Sequence, residues 1–377
     1  MRTLLTKGAI VTVAAVLSIA ATGAAPAVSS SGDVPALPKP TGPHVVGMTV
    51  LHLVDDTRPD PWVAKVGKRE LMVSLWYPAK APTGRRALYM TPVESELLLK
   101  GQQITGVPLD MLSRTRTNAF VDAEPHGRGL PLVVLSPGFT MPRGWLTSLS
   151  EELASKGYVV AAVDHTYESY GTSLPGGRTA TCAACDSARS PGFGAKATKG
   201  RAADVSFVLD RLTGSSPAWK SAKVIDPARI GMVGYSMGGS SAQWTMLNDS
   251  RVRAGVNMDG PFFVPIPKKF SRPFLMMGAE KVREPGGQDT SWDRDWRRMT
   301  GWKRWLTLAG SDHGSFTDFP MLTEQDTPAS AGALPGARGV EIIRKYTSAF
   351  LDQHLRQRRQ PLLDGPSPRY PEAVFHH

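Results

Sequence analysis

Ser236 stands in Arg229-Ile230-Gly231-Met232-Val233-Gly234-Tyr235-Ser236-Met237-Gly238-Gly239, a short apolar run that ends in a glycine-flanked serine. The spacing is G-x-S-x-G, the pattern of a nucleophile elbow, where a strand turns sharply into a helix and the serine Oγ stands clear of the backbone. Gly234 and Gly238 suit a place where strand and helix nearly touch. A serine hydroxyl is a poor nucleophile until a base takes its proton, so the pattern calls for a histidine and an acid. On such an elbow the chain order is Ser, acid, His. Four of the eight histidines follow Ser236. His354 lies in a helical pattern over 341–355, and His376 and His377 end the chain. His313 remains, in Gly310-Ser311-Asp312-His313-Gly314-Ser315, a loop after an apolar run over 302–308. Loops at strand ends are where catalytic side chains are presented, and His313 is the expected base.

The acid has three candidates. Asp259 directly follows the apolar run 252–258; Glu280 and Asp289 follow the next one, 273–277. Glu280 opens the charged run Glu280-Lys281-Val282-Arg283-Glu284, which reads as solvated. Local pattern favours Asp259 and leaves the later loop as the alternative. Acyl transfer also needs N–H donors where negative charge develops on the carbonyl oxygen. One is the amide after the nucleophile, Met237. The other is expected in Ser136-Pro137-Gly138-Phe139-Thr140, after the run 131–135. Proline has no N–H, so Phe139 is the expected donor.

Three stretches resemble the plasma-type platelet-activating-factor acetylhydrolases and their secreted bacterial lipase and esterase relatives: Gly234-Tyr235-Ser236-Met237-Gly238-Gly239, Val256-Asn257-Met258-Asp259, and Gly310-Ser311-Asp312-His313-Gly314-Ser315-Phe316-Thr317-Asp318-Phe319. Leu71-Met72-Val73-Ser74-Leu75-Trp76-Tyr77-Pro78, Leu135-Ser136-Pro137-Gly138-Phe139, and the segment from Leu153 to His165 are similar to the same family. The likeness runs from about Leu71 to Phe319. It implies an α/β-hydrolase fold, ester hydrolysis, and Asp259 as the acid. Tyr235 and Pro137 stand where the animal enzymes have His, and Gly260 follows the acid, so the family's acyl preference does not carry over. The elbow also resembles that of bacterial cutinases and polyester hydrolases.

The elements that must position these residues alternate. Strands are expected near 46–54, 69–77, 131–136, 158–163, 229–234, 252–258, 273–277 and 302–308, with helices near 143–156, 199–212, 238–248 and 340–356. This order predicts an α/β fold, a mostly parallel eight-stranded sheet with helices on both faces, opening with two antiparallel strands. One catalytic domain is expected over 45–377. Residues 79–129 form an insertion before the oxyanion strand, with Leu97-Leu98-Leu99 exposed in register; it reads as a cap over the acyl pocket or as extra packing elsewhere.

Residues 1–27 read as a secretory leader: Arg2 and Lys7, an apolar run over 8–21, then Ala25-Pro26-Ala27. The apolar run is shorter than a membrane span needs. Secretion to the extracellular space is the expected localisation. Residues 28–44, rich in Pro and Ser, read as a disordered lead-in. The formal charge of +11 is scattered and reads as solvated surface, with attraction to anionic lipid headgroups as the alternative. No nucleic-acid motif accompanies it. The two cysteines, Cys182 and Cys185, are spaced C-x-x-C; with no further ligands for zinc, a small-ring disulfide is expected in a secreted chain. No cofactor and no metal are expected. The function expected is a monomeric serine ester hydrolase acting on short-chain acyl esters of small molecules or lipids. A cutinase-like polyester hydrolase, a serine peptidase and a catalytically silent binding protein are the alternatives.

Overall fold

The computed structural model describes residues 34–324 and 332–376; the leader expected over 1–27 and the first residues of the lead-in lie outside them. In chain order the strands are β1 (Val45–Asp55), β2 (Arg69–Ala79), β3 (Arg86–Leu88), β4 (Arg116–Val121), β5 (Leu130–Ser136), β6 (Val159–Asp164), β7 (Thr172–Ser173), β8 (Thr179–Ala180), β9 (Ile225–Tyr235), β10 (Val252–Met258), β11 (Phe274–Ala279), β12 (Lys303–Leu308) and β13 (Ala373–His376). The helices are α1 (Pro92–Gly101), α2 (Met111–Arg114), α3 (Thr147–Ser155), α4 (Phe193–Thr213), α5 (Met237–Asn248), α6 (Ser291–Trp296), α7 (Phe319–Thr323) and α8 (Gly336–Leu355).

All strands but β7 and β8 join one sheet in the order β13-β12-β11-β10-β9-β5-β6-β2-β1-β4-β3. The eight expected strands are its contiguous middle, β12 to β1. The sheet has eleven strands rather than eight because β13 pairs antiparallel with β12 and β4, carrying β3, pairs with β1. These additions lie at the two edges of the sheet and carry no long apolar run of their own. His376, one of the two histidines at the chain's end, lies in β13, and its Nε2 is 2.8 Å from Thr307 Oγ1.

From β6 across to β12 every pairing is parallel, while β1 with β2 and β2 with β6 are antiparallel. Parallel strands covered on both faces read as unbroken apolar runs. The pleat sends Val133 and Leu135 of β5 into a core with α3 and α8, and Leu132 and Val134 into a core with α4 and α5. The site therefore sits at the carboxyl ends of β5, β9, β10 and β12, where this class of sheet presents its ligand-binding loops.

Two expectations are corrected. Residues 34–44 are packed, not disordered: Leu37 is buried and its N–H donates to Arg116 O, Thr41 N–H donates to Glu152 at 2.8 Å, and Arg344 donates to the carbonyls of Pro38 and Lys39. Proline-rich composition suited an extended strap whose carbonyls find donors on α8 and β4. In the insertion, Leu98 and Leu99 are fully buried among the residues of α1 and α2. The segment builds onto the sheet edge, with Gln102 at the end of α1 reaching Thr140 Oγ1 at 3.4 Å.

Candidate active site

The strand β9 ends at Tyr235, and Ser236 turns the chain into α5 with φ 55° and ψ −120°, a left-handed conformation that costs a non-glycine residue free energy. The turn is possible because its neighbours lack side chains. A Cβ on Gly234 would collide with Gly238 O, and one on Gly238 with Ser136 O. The strain is held from the next strand: Ser236 N–H donates to Met258 O at 2.8 Å. Asp259 repeats the device at the end of β10, with φ 57° and its N–H on Met277 O at 2.8 Å.

The structure brings the three expected residues together. His313 Nε2 lies 3.0 Å from Ser236 Oγ, and His313 Nδ1 is hydrogen-bonded to Asp259 Oδ2. Asp259 is buried; its Oδ1 accepts from Ala279 N–H at 2.8 Å and from Arg283 Nε at 3.2 Å. The His313 side chain is 51% exposed, so the serine–histidine edge opens to solvent and can receive an ester.

Glu280 is elsewhere. Its Oε2 accepts from Gly310 N–H at 3.1 Å and so ties down the start of the His313 loop. Asp289 pairs with Arg283. Arg283 corrects the reading of a solvated charge run: it is 5% exposed and spans Asp259 and Asp289. Burial pushes its guanidinium below the usual arginine range, and Asp259 acts against that. A charge run of alternating sign carries no signal that one member turns inward to an acid 24 residues away.

Tyr235 and Asn257 also escaped a functional reading. Tyr235 Oη donates to His313 O at 3.0 Å, and the two rings lie 5.0 Å apart. Its phenol is raised well above the usual range by burial, with Asp259 and Asp312 adding to it; it stays a neutral donor. Asn257 accepts from Gly260 N–H at 2.7 Å and donates to Gly260 O at 2.8 Å, closing the turn that carries Asp259. An Asn two residues before an acid and three before a glycine was the available signal.

Met237 is the first residue of α5, and Phe139 lies in the loop after β5. That loop abuts the nucleophile: a Cβ on Gly138 would touch Ser236 Cβ at 3.4 Å. The side chains of Met237 and Phe139 pack in one cluster with Trp62, Ala184, Phe193 and Ala197. Phe139 and Phe193 meet edge to face at 4.9 Å, and Trp62 lies 5.5 Å from Phe193. Cys182 and Cys185 are disulfide-bonded and bracket Ala184, so the expected small ring shapes this wall. Among the described residues no group of three or more His, Cys, Asp or Glu could hold a metal ion.

The family described as "Platelet-activating factor acetylhydrolase, isoform II" matches residues 29–175 and 208–361. A probable 1-alkyl-2-acetylglycerophosphocholine esterase of Arthroderma benhamiae is 29% identical, over 90% of this chain and 93% of its own. The platelet-activating factor acetylhydrolase of Cavia porcellus is 23% identical, over 61% of this chain and 58% of its own. Among solved structures, a ferulic acid esterase from Streptomyces cinnamoneus is 41% identical with a TM-score of 0.80, covering 92% of this chain and 100% of that one.

Proposed function

This chain belongs to the platelet-activating factor acetylhydrolase, isoform II, family, and on that premise we propose that it is a secreted serine carboxylic-ester hydrolase working through Ser236, His313 and Asp259. One observation carries the reading: a strained, partly exposed serine whose Oγ sits 3.0 Å from a histidine that is itself bonded to a buried carboxylate. Ser236 Oγ attacks the ester carbonyl carbon while His313 Nε2 takes its proton. The tetrahedral oxyanion is met by the N–H groups of Phe139 and Met237. The imidazolium then protonates the leaving alcohol, and a water repeats the sequence to free the acid. Asp259 holds the proton on Nδ1, so that Nε2 is the free base. No step calls for a metal, and a chelator should leave the activity unchanged. Export rests on the leader over 1–27.

For the acyl group we favour short chains. Phe139 and Met237 are bulky and flank the place of the acyl carbon, and one methylene in such a pocket changes discrimination by roughly 1–3 kcal/mol. The aromatic wall of Phe139, Phe193 and Trp62 supports a second reading, a planar aromatic acyl group such as the feruloyl that the Streptomyces relative is named for. The test is kcat/KM over acetyl, butyryl and palmitoyl p-nitrophenyl esters, an acetyl-phospholipid, methyl ferulate and a polyester film. Acetyl and butyryl esters should exceed palmitoyl by at least about tenfold. A preference for palmitoyl would overturn the short-chain reading, and methyl ferulate above all aliphatic esters would put the aromatic one in its place.

A further inference from the structure

A buried cation lies under the oxyanion loop. Arg201 of α4 is 1% exposed. Its Nη1 donates to Pro137 O and lies 3.4 Å from Ser136 Oγ. Its Nη2 reaches Gly138 O at 3.4 Å, the outer limit of a hydrogen bond. Its Nε donates to Glu168 Oε2 at 2.7 Å. Glu168 in turn takes the Trp62 indole N–H on Oε1 at 3.0 Å. The same residue braces the loop through its backbone, where Glu168 O accepts from Thr140 N–H at 2.8 Å, and Tyr170 N–H closes on Thr140 O at 3.0 Å. The loop is thus held on both sides of Phe139, at Pro137 and Gly138 by the buried Arg201 side chain and at Thr140 by the backbone of Glu168 and Tyr170.

Burying a guanidinium is costly unless its partners are well placed, so its position asks for an account. A trans peptide points its C=O and N–H in opposite directions. A donor on Gly138 O therefore turns the N–H of Phe139 to the other side, and Gly138 lies against Ser236. A charged donor makes a hydrogen bond roughly twice as strong as a neutral one, and bonds in series polarise each other. A cation on Gly138 O strengthens Phe139 N–H as a donor.

We propose that Arg201 is a positioning residue of the ester hydrolysis: its guanidinium, balanced by Glu168, orients and polarises the Gly138–Phe139 peptide so that Phe139 N–H receives the oxyanion. The proposal rests on the reading of Ser236 as nucleophile and Phe139 as donor. Arg201 touches no reacting atom and acts through the loop.

The test uses the whole chain and two readouts: hydrolysis of p-nitrophenyl butyrate, and inhibition by an alkyl trifluoromethyl ketone, whose adduct with a serine carries a negative oxygen. In the double variant Arg201→Gln, Glu168→Gln the ion pair is removed together and no buried charge is orphaned. Deleting an oxyanion donor costs about a hundredfold to a thousandfold. Misaligning one should lower kcat on the order of ten- to a hundredfold with KM within about twofold, and weaken ketone affinity by the same factor. Unchanged kcat, or reduced kcat with unchanged ketone affinity, overturns the proposal. Should the double variant not fold, Arg201→Lys decides: it keeps the charge but cannot fork across two carbonyls. A several-fold joint loss in kcat and ketone affinity supports the proposal, and wild-type values for both overturn it. Failure of the underlying reading is distinct, since Ser236→Ala would then retain turnover in an otherwise unaltered chain.

Discussion

The chain contains the same side-chain relay twice. At the surface, Ser236, His313 and Asp259 are linked Oγ to Nε2 and Nδ1 to carboxylate. Inside, Ser136, His165 and Asp204 have the same connectivity, with Ser136 Oγ 2.9 Å from His165 Nε2 and His165 Nδ1 2.9 Å from Asp204 Oδ2. Hydrogen-bond pattern does not separate them; presentation does. Ser236 stands on a strained elbow, partly exposed, with the loop that carries Gly138 against it. Ser136 is the last residue of a pleated strand and is fully buried, as is His165 at 2% exposure. The carboxylates differ too. Asp259 has the Ala279 amide and one arginine, whereas Asp204 is gripped by Arg69 and Arg58. Relay geometry becomes chemistry only where a substrate carbonyl can reach the serine and its developing charge has donors waiting. The inner relay begins at Ser136, two residues before Gly138, which abuts Ser236.

The sharpest way to break the comparison is to delete each serine. Ser236→Ala should lower kcat on the order of a million-fold, the loss typical of an absent triad nucleophile, with the thermal midpoint little changed. Ser136→Ala should cost less than about tenfold. A fluorophosphonate should label Ser236 alone, read by mass spectrometry of the peptides, and His313→Ala should abolish the labelling. Label on Ser136, or equal losses from the two alanines, would erase the distinction.

The carboxylates come next. Asp259→Asn should lower kcat on the order of ten-thousand-fold, as wrong-tautomer relays do. Glu280→Gln, which alters a single loop hydrogen bond, should stay within about tenfold. The inverse result would move the acid to the loop after β11.

The outer relay was largely legible in the chain and the inner one was not. Ser236 announces itself because an elbow needs small neighbours at fixed offsets, and His313 follows from chain order and a glycine-flanked loop. Asp259 needed more, since two successive strand ends offer carboxylates and only packing decides which faces the imidazole. The inner relay joins residues 29 and 39 positions apart on β5, on the turn after β6 and on α4. No periodicity marks such a meeting. Arg283 and Arg201 were hidden for a related reason: a charged residue reads as solvated until its buried partner is known. The strap over 34–44 failed in the same direction, because composition reports the chain's own capacity to bury surface and not the donors that Arg344 brings or the acceptors that α3 offers through Glu152 and Ser155. The edge strands β3 and β13, of three and four residues, are too short for alternation to be read, and β4 lacks the unbroken apolar run that marks the central strands.

The smallest expected effect sharpens the comparison from the side of proton linkage. Burial, with the nearby Arg201 charge next in weight, lowers the His165 pKa below its ordinary 6.5. Below pH 6.5 the unfolded chain therefore takes up a proton that the folded ring refuses. Stability then rises with pH through that window: the contribution is fully present above 6.5 and is lost on acidification. Buried carboxyls work in the opposite sense, Glu151 among them, raised by burial first. Asp318 is pushed up to about 7 and Asp164 to about 6, both by burial first, so the folded state keeps protons that the unfolded chain releases, and stability falls as pH rises toward those values. Asp204, held far below the carboxylate range by Arg69 and His165 against its desolvation, does not titrate above pH 5. The wild-type profile between pH 5 and 7.5 is a partial cancellation, and a difference measurement isolates the histidine. In His165→Gln the carboxyl contributions remain while the ring's is gone. Denaturant unfolding should show wild type more stable than the variant at pH 7.5, with the gap narrowing toward pH 5. Parallel profiles would mean that His165 does not resist protonation in the fold, and burial alone would then not set the inner relay apart.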